Sequence, residues 1–175
     1  MDFEFSDEQR LLRDSVDRLI GQAYDDLGHR KKMQATELGF SEELWGKYAE
    51  LGLLALPFSE EEGGFGGGTV ETMIVMEAVG RGLALEPFFA SIILGGNLVR
   101  LGASAEQRAE LIPQIADGSL RLAFAHTEPQ ARYDLNNVKN VCPAQRQRLG
   151  AGGRQERRRA WRLGDEADRF RTYQR

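Results

Sequence analysis

His126, Thr127 and Glu128 stand side by side late in the sequence and offer an imidazole, a hydroxyl and a carboxylate in consecutive positions. A general base needs surroundings that lift its pKa toward the working pH, and the sequence supplies no partner of that kind for Glu128. No catalytic residue is therefore assigned. Thr127, read from its own context, is a β-branched filler at the end of an extended run. The lone thiol, Cys142, excludes an intramolecular disulfide framework and a cysteine-built zinc site, and the isolated His29 and His126 leave little for a transition metal. No metal site is expected. The densest backbone signal is Gly63-Gly64-Phe65-Gly66-Gly67-Gly68. No Lys-Ser or Lys-Thr follows it and no strand-like segment feeds it, so it reads as a shaped loop and not as a phosphate cradle.

Charge divides the chain in two. The net charge of -4 over 175 residues hides ten Arg against four acids in residues 144–175, which leaves -10 on residues 1–143. The arginine-rich part has no lysine, and its glycines and scattered acids give no helix face that matches a groove, so no nucleic-acid partner is expected. No apolar run reaches the roughly 18 residues of a membrane span, and the amino terminus is acidic where a signal peptide would be basic. Together with the single cysteine, this predicts a cytoplasmic protein.

Helices must position whatever chemistry exists. Ser6 and Gln9 have capping-box spacing, followed by Leu12, Val16, Leu19 and Ala23 on one stripe. A polar stretch extends to about Gly39, and Ser41 opens a second helix that carries Leu44, Tyr48 and Leu51. Leu53 to Pro57 reads as a buried extended connection. Thr69 is the predicted cap of a helix apolar nearly all round, and Pro87 opens another that runs through Phe88, Phe89, Ile92 and Ile93 to Gly102. Two such helices need other helices or a partner subunit to cover them. Ser104 and Gln107 repeat the capping box before Leu111, Ile112 and Ile115, with a stop near Gly118. Met73, Ile74, Phe89, Ile92 and Leu111 are the predicted core. From Leu120 to His126 the period changes to two, which predicts one strand of an unfinished sheet.

The pieces FSDEQRLLRDSV, WGKYAELGLLALPFSEEEGGFGGG, IVMEAVGRGLALEP and LIPQIADGSLRLAFAHTEP, in this order, resemble the amino-terminal part of flavin-dependent acyl-CoA dehydrogenases. The similarity covers about residues 1–139, and its wording is closest to the small subunit of pimeloyl-CoA dehydrogenase and similar two-subunit enzymes. It implies a mainly α chain: a helical domain over 1–118, then 119–139 as the first strand of an incomplete β-domain. Residues 140–175 match nothing in the family. Their Arg-, Gly- and Gln-rich composition reads as a disordered or frame-shifted segment.

The resemblance further implies FAD, an acyl-CoA substrate, an electron-transfer flavoprotein as electron acceptor, and homo- or hetero-oligomeric assembly. Phe124, Ala125, His126, Thr127 and Tyr133 match the family's first flavin-contacting segment. Phe89, Ile93, Gly96 and Asn97 match its acyl-lining helix. Tyr133 stands where relatives carry a small serine, which changes the expected pyrophosphate contact and substrate pose. The family's catalytic glutamate belongs to a carboxy-terminal domain that has no counterpart in these 175 residues, so the chain alone is expected to be inactive and to hold FAD weakly or not at all. The competing reading is a non-catalytic helical module that packs on a partner subunit.

Overall fold

The computed structural model describes residues 4–124, 128–134 and 136–139, and the backbone of 144–145 and 148–149. Helix α1, Asp7–Ala23, starts at the predicted box: Gln9 N–H donates to Ser6 Oγ over 3.2 Å and Ser6 N–H to Gln9 Oε1 over 3.0 Å. Val16 and Ile20 are buried, and Leu12, Leu19 and Ala23 pack beside them. Helix α2, Leu27–Gln34, lies within the stretch read as merely polar. It buries none of its residues, so it has no apolar stripe to announce it; its signal is the cap, Asp26, whose carboxylate accepts from Gly28 and His29 N–H.

Helix α3, Glu42–Glu50, begins at Ser41 as expected and ends before Gly52, whose φ of +72° suits a residue without Cβ. The following apolar run is buried but not extended. Ala55 N–H donates to Gly52 O, Leu56 to Leu53 O and Phe58 to Ala55 O, a chain of tight turns. The apolar composition demanded burial of Leu53, Leu54 and Leu56 and left the backbone conformation open.

A short 3₁₀ turn, Glu60–Glu62, leads into the glycine loop and then helix α4, Thr69–Arg81. Gly68, not Thr69, is its cap. Helix α4 lies along α1, and the pair is tied at one end by Arg81 to Asp17 over 3.1 Å. The next segment winds as a π-helix over Phe89–Gly96 and continues as α5, Asn97–Gly102. Helix α6, Ala105–Ala116, carries the second predicted box, and Gly118 takes a φ of +81° just beyond it.

Ile74, Ile92 and Leu111 are buried as expected, but Met73 and Phe89 are about half exposed, at 48% and 50%. An apolar residue at nearly every position says that a helix is largely covered and does not say which side stays open. Around the core runs an aromatic chain, Phe40 to Trp45 to Tyr48 to Phe88, with ring centroids 6.4, 6.2 and 6.3 Å apart. Such spacing suits edge-to-face contact. Trp45 also donates from Nε1 to the Gly118 carbonyl over 3.0 Å, which fixes the end of α6 against α3.

The expected strand is not formed over residues 120–124. Alternation survives, since Leu120 and Leu122 are buried and Ala123 is exposed, but among the described residues no neighbouring strand supplies a ladder. Leu122 N–H instead donates to the Ser91 hydroxyl over 2.9 Å. Ala144–Gln145 and Arg148–Leu149 pair as two-residue antiparallel strands, Ala144 opposite Leu149. The other residues of 140–175, where a disordered or frame-shifted segment was expected, lie outside the described residues.

Candidate functional site

The π-helical segment has two different sides. On one, Ser91 is fully buried and receives Leu122 N–H, a Cβ on Gly95 would stand 2.4 Å from Leu122 Cβ, and one on Gly96 would stand 3.1 Å from the Phe58 ring. The backbone of this segment therefore presses directly on its neighbours, a closeness only glycine permits. On the other side lie Phe89, half exposed, and Ile93 and Asn97, partly buried. Their spacing of four suits a helix with more than four residues per turn, so these three expected acyl-lining residues share one face. Gly96 does not join them; it serves the packing side. Asn97 is itself engaged, donating from Nδ2 to Ile93 O over 2.8 Å and accepting from Arg100 Nε over 3.0 Å.

Of the expected flavin-contacting residues, Phe124 is partly buried and Tyr133 is almost wholly exposed, at 99%. Ala125, His126 and Thr127 lie outside the described residues. Tyr133 follows Arg132, a residue with φ of +49°, in a turn closed by Ala131 N–H to Glu128 O and Asp134 N–H to Ala131 O. Glu128 is 5% exposed and accepts from Lys139 N–H over 2.8 Å and from Gln130 Nε2. Its carboxylate closes the 128–139 loop.

The glycine loop has no amide to offer an anion. Every N–H from Gly63 to Gly67 donates to a carbonyl of residues 55–60, and Gly68 N–H donates to Glu71 Oε2 over 2.8 Å. Two open depressions of about 470 and 450 Å³ flank Phe65, and neither reaches Phe124 or Tyr133. Phe124 and Tyr133 thus line neither depression formed by the described residues. Among them there is also no cluster of metal ligands, and no helix is long and apolar enough to cross a membrane.

Residues 6–119 match the family model described as acyl-CoA dehydrogenase, N-terminal domain. The chain belongs to the acyl-CoA dehydrogenase family. It is 34% identical over 139 residues to the acyl-CoA dehydrogenase FadE12 of Mycobacterium tuberculosis, a match that covers 78% of this chain and 35% of that protein. The chain therefore spans about a third of the length of this curated relative. Among solved structures, the FAD complex of PigA superposes with a TM-score of 0.67 at 28% identity, covering 82% of this chain and 38% of that one. The ChsE4–ChsE5 complex from Mycobacterium tuberculosis shares the fold, with a TM-score of 0.72 at 21% identity and coverage of 89% and 39%.

In this acyl-CoA dehydrogenase domain, two polar junctions escape the sequence reading. Gln9 Nε2 donates to Glu71 Oε1 over 2.7 Å, so the box that starts α1 is wired to the one that starts α4. That bond, with the backbone amides at the start of α4, holds the Glu71 carboxyl below the usual glutamate range. Arg108 Nε meets Glu62 over 2.8 Å and joins α6 to the 3₁₀ turn; burial works against ionisation of Glu62, but the bonds from Arg108 and Ser59 outweigh it and lower its pKa. Nothing local marks either pair, since the partners lie 62 and 46 residues apart.

Proposed function

We propose that these 175 residues supply the helical part of a flavin-dependent enzyme that removes two hydrogens from the α and β carbons of an acyl-CoA thioester. The observation that carries this is the family match over residues 6–119. The half-open face of Phe89, Ile93 and Asn97 supports an acyl-lining role, with side-chain size at those three positions limiting the chain accepted. Phe124 and the adjoining 125–127 segment are the residues through which this part of the enzyme would touch FAD, with Tyr133 near the acyl end. FAD would supply the hydride acceptor, an electron-transfer flavoprotein would take the electrons, and assembly would proceed with further subunits in the cytoplasm. The pimeloyl-CoA type of two-subunit enzyme is the finer expectation, and it rests on the wording of residues 56–78 and 125–138 alone.

These residues by themselves are proposed to hold FAD weakly or not at all and to be inactive. A flavin enzyme gains its rate from fixed positioning and electrostatics around the reacting atoms, and by the family resemblance a β-domain and a glutamate-bearing domain would supply most of both. The purified chain should elute without stoichiometric flavin and should not reduce a redox dye when given acyl-CoA thioesters of varied length. Stoichiometric yellow flavin, or dye reduction, would overturn the inactivity. If the family's carboxy-terminal portion restores both when supplied in trans, the proposed role stands; if it restores neither, a non-catalytic packing module becomes the better account.

A further inference from the structure

Ser91 is a hydroxyl in a place where an apolar side chain would pack. It is fully buried, and its Oγ accepts Leu122 N–H over 2.9 Å from 31 residues away. Residues 120–124 alternate in burial as a strand does, yet their amides find acceptors on helices. Leu120 N–H donates to Gln114 O over 2.8 Å, near the end of α6, and Leu122 N–H donates to Ser91. A buried amide without an acceptor is costly, so this stretch depends on what the neighbouring helices offer. Gly95 completes the seat one turn further on. A Cβ there would stand 2.4 Å from Leu122 Cβ and 3.2 Å from its Cδ1. One hydroxyl and one absent side chain thus fix both the direction and the depth of Leu122.

We propose that Ser91 is a positioning residue: its hydroxyl stands in for a ladder partner and sets where the chain leaves Leu122 for Phe124 and residues 125–127. The segment that carries Ser91 also carries Phe89, Ile93 and Asn97 on its other side, so a single wide turn holds two parts of a site in register. Ser91 and Gly95 address the 120–124 stretch, whereas Phe89 and Ile93, two residues before each, belong to the other face. The bond also selects the pairing, because a slip of one residue would bring Arg121 or Ala123 inward in place of Leu122. That these two parts touch FAD and the acyl chain rests on the reading given above; the tether does not.

The test begins on the full chain without flavin or acyl-CoA, so it can fail independently of the enzymatic reading. Ser91→Ala removes the acceptor, and protection of the Leu122 amide against exchange should fall about tenfold while amides of α1 and α3 keep theirs. Amide resonances of 123–127 should move with it. Ser91→Thr keeps the hydroxyl and should restore both. A uniform loss of protection across all helices would mean that Ser91 only fills the core. That result, an unchanged Leu122 amide, or a Ser91→Thr variant no better than Ser91→Ala, would overturn the proposal. Should Ser91→Ala not fold, the wild type decides: a Leu122 amide as protected as the interior of α6 supports the tether, and one exchanging near its intrinsic rate refutes it. With a family carboxy-terminal portion supplied in trans, the dissociation constant for FAD should rise about tenfold in Ser91→Ala and return in Ser91→Thr. Equal FAD affinity in all three would overturn the positioning role. Absence of FAD even from the wild-type assembly would count against the enzymatic reading, and the exchange results would still decide the tether.

Discussion

Gly64 and Gly63 are neighbours with opposite reasons to be glycine. A Cβ on Gly64 would stand 2.3 Å from the Phe58 carbonyl oxygen, whereas one on Gly63 would meet nothing within 4 Å but would sit on a backbone with φ of +84°. Gly63→Ala should cost about 1–2 kcal/mol, the usual penalty of the left-handed region. Gly64→Ala must move main chain and should cost more; urea unfolding that ranks the two the other way round would show that the loop yields easily. Glu71 makes a pH prediction. Its folded pKa is lowered, so its bonds to Gln9 and the start of α4 stabilise above the ordinary glutamate value and fade as pH falls through the lowered one. The stability gap between wild type and Glu71→Gln should therefore close on acidification, and a gap constant with pH would count against the bond. Ser6, Ser41 and Ser104 were legible because a cap answers to residues two or three positions away. Ser91 was not, because its meaning depends on Leu122, 31 residues later.

Helices announce themselves through their stripes, and what they hide from the sequence is what lies opposite. α1, α3 and α6 were readable from caps and spacing; α2 has no buried residue, and only its Asp26 cap could have revealed it. The segment from Phe89 to Gly96 was read as an ordinary helix, since no local pattern separates π winding from α winding. Its winding belongs with its packing, for the wide turn lets Ser91, Gly95 and Gly96 crowd Leu122 and Phe58 while Phe89 faces out. Gly95→Ala should accordingly overpack against Leu122 and cost about 1–3 kcal/mol, read as a fall in melting temperature. If Gly95→Ala is neutral, the close approach is not an energetic constraint. Ser104→Ala, which removes the α6 cap bond to Gln107, should cost about 1 kcal/mol, checked by the same unfolding curve. The candidate acyl-lining face was half visible in this way: Phe89, Ile93 and Asn97 share it, whereas the family position at Gly96 has turned inward.

At the scale of the molecule, Trp45 reports on everything. Its ring is 3% exposed, it packs edge-on in the aromatic chain, and it bonds to Gly118, so in a Trp161→Phe variant its fluorescence should shift red at the same denaturant concentration at which helical ellipticity is lost. Separated transitions would mean that the helices outlast the core. The cross-links that close this domain are distant in sequence: Gln9 to Glu71, Trp45 to Gly118 and Ser91 to Leu122, spanning 62, 73 and 31 residues. A fold helical in content is thus non-local in wiring, and it should form more slowly than a bundle of sequential hairpins. During synthesis the asymmetry becomes temporal. α1 can coil as soon as it leaves the ribosome, yet the groove that receives Leu120 and Leu122 stays unfilled until those residues emerge. A nascent chain stalled with Gly118 still inside the ribosome should remain open to protease, and one lengthened just enough to release Leu122 should close.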